Sequence, residues 1–149
     1  MSNPNNPAFT RWVRASIGDH FFSLDGHVHV EGSNRHTADK DSWYEVRVPR
    51  VKTLQRTRSN WTIMIDVDVA CCRIHETNAY AVDDMAGAVH SLMSLCIPFY
   101  QYDETLTDPI VALPPMCREN DPMISPLGEV KPDLKLYQTN VTSSYKVLI

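Results

Sequence analysis

The stretch Trp61-Thr62-Ile63-Met64-Ile65-Asp66-Val67-Asp68-Val69-Ala70-Cys71 decides the fold of this chain. Trp61, Ile63, Ile65, Val67 and Val69 occupy every second position, and Thr62, Met64, Asp66 and Asp68 fill the places between. Side chains of a strand alternate between its two faces, so the pattern predicts a half-buried antiparallel strand with one apolar and one polar side. A run just upstream, Ser42-Trp43-Tyr44-Glu45-Val46-Arg47-Val48, alternates in the same way, with Tyr44, Val46 and Val48 on one face and Trp43, Glu45 and Arg47 on the other. The connection, residues 49–60, opens on Pro49, which cannot donate to a ladder. It carries Arg50, Lys52, Arg56 and Arg58 and no acidic residue. The two runs therefore read as a long hairpin with a basic arm.

Helices are expected on either side of this pair. Phe9, Trp12, Val13 and Ile17 share one helical face, predicting a helix from Ala8 to about His20 with Pro7 at its start and Gly18-Asp19 at its end. A turn at Asp25-Gly26 and a short strand over His27–Glu31 follow, then a polar loop to Asp41. Beyond the hairpin, Val82, Met85, Ala86, Val89, Leu92, Met93 and Cys96 form an apolar stripe, predicting a helix over residues 78–96. Thr77 or Asn78 would cap it, and Asp83 and Asp84 suit its dipole. A short strand runs over Ile97–Tyr102, and a last one over Leu134–Ile149. There Tyr137, Thr139, Val141, Ser143, Tyr145 and Val147 alternate, while Leu134 and Leu136 fall out of phase and predict a break near Tyr137. Between these strands, residues 105–133 contain six prolines and read as irregular, because proline excludes a long helix or a central strand. The same segment carries Ile110, Val111, Leu113, Met116, Met123, Ile124 and Leu127, too many large apolar residues for one small subunit to cover. The expected fold is α+β: a mostly antiparallel sheet with helices on one face, a long basic hairpin and a C-terminal strand. Residues 1–7 read as a flexible tail and 8–149 as one domain.

Composition narrows the function classes. The chain has 149 residues and a net charge of -4, whereas a dedicated nucleic-acid binder is usually basic. No apolar run reaches the ~18 residues of a membrane span, and the N-terminus lacks the basic and apolar regions of a signal peptide. Cys71, Cys72, Cys96 and Cys117 are therefore read as free buried thiols rather than a disulfide framework. His27 and His29, with His75 or Asp25, have no third partner at a metal-binding spacing and read as surface or loop histidines. Asp66 and Asp68 share a strand face that reads as the solvent side. The five glycines, at 18, 26, 32, 87 and 128, make no phosphate loop, and no G-x-S-x-G elbow exists. No catalytic residue, metal or cofactor is expected, and the chain does not read as an enzyme.

The order of elements carries a resemblance. A helix and a loop-rich stretch lead to the strand pair 42–48 and 61–71. The helix containing Ala81-Val82-Asp83-Asp84-Met85-Ala86-Gly87-Ala88-Val89 comes next. Ile97-Pro98-Phe99, the irregular stretch and the strand Leu136–Val147 complete it. This order resembles the tail terminator proteins of long-tailed bacteriophages, also called minor tail protein U-like or neck proteins, over residues 8–149. It is a likeness of architecture without a catalytic motif, and the 49–60 arm is more basic and the 105–133 segment richer in proline than that pattern. The resemblance implies a homo-oligomeric ring, a hexamer, in the neck of a virion assembled in the host cytoplasm. Such a ring caps the tail tube protein, meets a connector or stopper protein of the head, and passes genomic DNA through its lumen without reading its sequence. Candidate partner or subunit contacts are Arg47, Arg50, Lys52, Arg56 and Arg58 on the arm, and Leu113, Met116, Met123, Ile124 and Leu127. Another neck or tail-tube protein is an alternative, as is a small ligand-binding or enzymatic α+β domain.

Overall fold

A computed structural model describes residues 7–31, 40–57, 60–74 and 80–149. The protein is α+β, with a curled, mostly antiparallel sheet of seven strands and two helices. In chain order these are α1 (Pro7–Phe21), β1 (Val28–Val30), β2 (Ser42–Arg56), β3 (Trp61–Arg73), α2 (Tyr80–Leu92), β4 (Cys96–Tyr102), β5 (Pro109–Arg118), β6 (Met123–Lys131) and β7 (Leu136–Leu148). The sheet runs β1-β2-β3-β7-β5-β4, with β6 also paired to β7. The short β1 is the parallel member, against β2.

The alternation of β3 sets the core. Ile63, Ile65, Val67 and Val69 are buried and pack with Val46 and Val48 of β2 and Val141, Tyr145 and Val147 of β7. Both helices cover this face: Phe9, Val13, Ile17 and Phe21 from α1, and Val82, Ala86 and Val89 from α2. Each valine, isoleucine or phenylalanine among them contributes about 1.5–3 kcal/mol when removed from water. Trp61, the first residue of the same alternation, is only half-buried at the rim of the core. The opposite face carries a smaller cluster of Trp43, Ala70, Cys72 and Leu136. Cys71 and Cys72, adjacent in the chain, thus serve the two faces separately, as a strand requires.

Four expectations change. First, β2 does not stop at Val48: it continues to Arg56 through two register shifts, one between Arg47 and Arg50 and one between Thr53 and Gln55. Pro49 sits in the first of these bulges, where its missing N–H costs no ladder bond. Second, α2 ends at Leu92 and Cys96 opens β4. Third, residues 105–133 are not irregular: most of them form β5 and β6. Their prolines are tolerated because regular pairing lapses around them. Pro114 and Pro115 fall in the register shift between Ile97↔Met116 and Phe99↔Leu113, opposite Pro98, and Pro126 borders another in β6. Fourth, β7 pairs with β3 in unbroken register from Thr62↔Leu148 to Arg73↔Tyr137. The break lies earlier, at Lys135, which adopts the left-handed conformation (φ 49°) after a 3-10 turn over Pro132–Leu134. Leu136 is out of phase with the core residues because it belongs to the opposite-face cluster. The polar loop of 32–39, the tail of 1–6 and the Thr77/Asn78 cap lie outside the described residues.

Candidate assembly surfaces

The bulge at Pro49 organises the arm. Cross-strand neighbours share a face, so Arg47 opposite Asp68 and Arg50 opposite Asp66 both stand on the polar side of the sheet, although three positions separate them. Arg50 Nε lies 2.8 Å from Asp66 Oδ2, and Arg47 reaches Asp68 Oδ2 at 3.5 Å and Glu45 Oε1 at 3.3 Å. Ser144 of β7 donates to the other Asp66 oxygen at 2.8 Å. The acids missing from the connection are therefore supplied by the facing strand. Burial raises the Asp68 pKa above the ordinary carboxylate value, and the Arg47 charge opposes the rise without cancelling it. For Arg47 burial works downward, but the hydrogen bond to Glu45 and the charges of Glu45 and Asp68 win, and its pKa rises. Asp66 and Asp68 lie on the polar face as expected, engaged in ion pairs.

Two arm cations are left without an ion pair among the described residues. Lys52 is exposed, and Arg56 lays its guanidinium 4.7 Å from the centroid of the Trp61 ring. Between them in sequence, Leu54 is 44% exposed. Arg58 lies outside the described residues.

The apolar candidates divide. Met123, Ile124 and Leu127 on β6 are 62%, 43% and 50% exposed, and Ile110 and Val111 on β5 are 59% and 48% exposed. Leu113 is half-buried and packs against the core. Met116 is a correction: it is fully buried within its own subunit. The register shift at Pro114–Pro115 turns it inward, opposite the equally buried Ile97. It has no surface to offer another chain.

A further surface, not singled out from sequence, lies at the turn joining β4 to β5. Asp103 Oδ1 accepts from Thr105 Oγ1 at 2.9 Å and from the Thr107 N–H at 3.0 Å. The Thr107 backbone bond, ahead of the Thr105 hydroxyl, holds the Asp103 pKa below its ordinary value. This closes a compact turn in which Leu106 takes a positive φ of 58° and is 38% exposed. The turn borders a groove of about 590 Å³, lined by Trp12 of α1 with Tyr102, Asp103, Glu104, Leu106 and Ile110. Tyr102 ties the two walls together by donating its hydroxyl proton to Asp19 of α1 at 2.5 Å. The sequence signal was the spacing Asp103-x-Thr105-x-Thr107, a side-chain-closed turn.

The cysteines require a second correction. Cys96 and Cys117 stand directly opposite each other on β4 and β5, with Cα atoms 4.0 Å apart, and are joined as a disulfide. Cys71 and Cys72 are free and buried, and burial, more than the nearby Cys72, pushes the Cys71 thiol up to about 12, far from a reactive thiolate. His29, expected at the surface, is buried in β1, while His75 lies outside the described residues. No three His, Cys, Asp or Glu side chains among the described residues are grouped to hold a metal ion, and no described helix is long and apolar enough to cross a membrane. Compared with protein-family models and with curated proteins, the chain has no significant match.

Proposed function

We propose that this chain is a structural virion protein of a long-tailed bacteriophage, a ring-forming tail terminator. In this reading several copies, six by the resemblance, close head-to-tail on the last ring of the tail tube. They end its polymerisation and join the tail to the connector or stopper of the head, in particles assembled in the host cytoplasm. DNA passes through the lumen, and no step is catalysed. The observation that carries the reading is the exposure of apolar side chains on β5 and β6, Ile110, Val111, Met123, Ile124 and Leu127, in strands that each present one edge without a partner among the described residues over most of their length. Exposed apolar strands of this kind are aggregation hazards unless another chain covers them. The order of elements read from the sequence, which resembles that of the terminator proteins over residues 8–149, supports the same reading. The test is made on particles. Phage lacking this chain should accumulate tubes of irregular, excessive length without heads, and electron micrographs of tails of normal length attached to heads would overturn the assignment.

A further inference from the structure

We propose that the basic arm of one copy docks into the groove between α1 and the β4–β5 turn of the next copy. The inference rests on the ring reading above for its head-to-tail sense and adds the two surfaces that meet. On the arm, Arg50 is already neutralised by Asp66, so the free charge is that of Lys52, opposite Met64 on the polar face, and of Arg56, opposite Trp61 on the other face, with the exposed Leu54 between them in sequence. Arg56 is held over Trp61, which fixes where its charge points.

The groove is the complement. Its apolar floor is Trp12, Leu106 and Ile110, and its rim carries Asp103 and Glu104, with Asp108 next in the same turn. Among the described residues Arg11 is the one cation lining it. Asp103 is spent in closing the turn, which leaves Glu104 and Asp108 exposed and without an ion pair among the described residues. An arm with a cation on each face and a leucine between them thus meets a groove with apolar walls, one free carboxylate, Glu104, on its rim and a second, Asp108, beside it in the same turn. The turn is closed by its own side chains and tied to α1 through Tyr102 and Asp19, so the groove is preformed. Because arm and groove are different surfaces of one chain, their pairing is heterologous: it repeats from copy to copy and generates a ring where the rotation closes. The like charge on two arms disfavours an arm-to-arm dimer.

The experiment places a photoreactive benzophenone side chain at position 54 and mixes this protein with an isotopically heavy copy of the unmodified chain. Illumination followed by peptide mapping should give a light–heavy cross-link to residues 101–112 or to the α1 peptide around Trp12. Reversing the arm, Lys52→Glu with Arg56→Glu, should lower its yield about tenfold, as loss of close charge pairs implies. Reversing the groove of the heavy copy as well, Glu104→Lys with Asp108→Lys, should restore it. The restored pair also shows that neither variant failed to fold. Absence of a light–heavy cross-link, a cross-link to another surface, or a yield indifferent to both reversals overturns the docking. The terminator reading is judged separately by tail length. Tails that need this chain although arm and groove do not meet would leave that reading standing without this interface. Arm and groove that meet in a protein dispensable for tails would leave the interface without that reading.

Discussion

Replacing Tyr145 by phenylalanine removes one oxygen from the centre of the molecule and leaves the ring in place. Tyr145 is fully buried on β7, and its hydroxyl donates to the Ser94 carbonyl at 3.3 Å. That bond is long, so its loss at neutral pH should cost about 0.5–1 kcal/mol. The alkaline range reverses the order. Burial pushes the Tyr145 pKa from its ordinary 10.0 up to about 12, and the Arg118 charge opposes this only in part. A folded-state pKa above the unfolded one contributes stability that is full below the unfolded value and lost as pH rises through the folded one. In the unfolded chain the phenol ionises near 10, and in the native protein it does not until about 12. Each pH unit in that window removes about 1.4 kcal/mol, so the wild type loses about 2–3 kcal/mol that Tyr145→Phe keeps. Cys71 is shifted in the same direction, but it is common to both proteins and cancels in the difference. Urea titrations followed by circular dichroism, at half-unit steps from about pH 8 to 12, should show the variant less stable at the start, with the two curves crossing between about pH 10 and 11. Parallel stability profiles across the window would refute the placement of this hydroxyl in a dry core.

Two further substitutions probe the sheet. Ile65→Ala deletes three carbons from a fully buried site and should cost about 2–4 kcal/mol in a denaturant titration, against less than about 1 for the neighbouring Met64→Ala on the polar face; equal costs would mean that the core face is wrongly assigned. Cys96→Ser with Cys117→Ser opens a loop of 21-residue separation and should lower stability by about 3 kcal/mol, with thiol titration of the unfolded wild type returning two free thiols before reduction and four after it.

The core face was legible because it depends on local periodicity. β3 announces its two faces in five alternating apolar residues, and α1 and α2 do so at helical spacing. What failed depends on pairing, which a single strand does not encode. The rule that proline excludes a strand is a rule about strands hydrogen-bonded along both edges, and among the described residues β5 and β6 have regular partners along one edge alone for most of their length. Cys96 looked like the end of a helical stripe, and nothing in its spacing from Cys117 indicates that a hairpin brings them face to face. The basic arm looked uncompensated because Asp66 and Asp68 reach Arg50 and Arg47 only in a register set by the bulge at Pro49. The groove at the β4–β5 turn needed the meeting of two elements, α1 and the turn, that lie some eighty residues apart in the chain.

β7 is the seam of the molecule, bonded to β3, β5 and β6 together, and among the described strands it is the last to leave the ribosome. Ile65 waits for Tyr145, eighty positions downstream, before its strand is paired on both sides. Throughout synthesis the nascent chain therefore carries a half-made sheet whose inner face and open edge are accessible to other nascent chains. Pairings of this sequence distance make folding slow relative to helical proteins of the same size. A chain interrupted before β7 would retain the sticky face without the strand that seals it, so translation arrest in this gene should yield aggregates rather than a smaller folded protein.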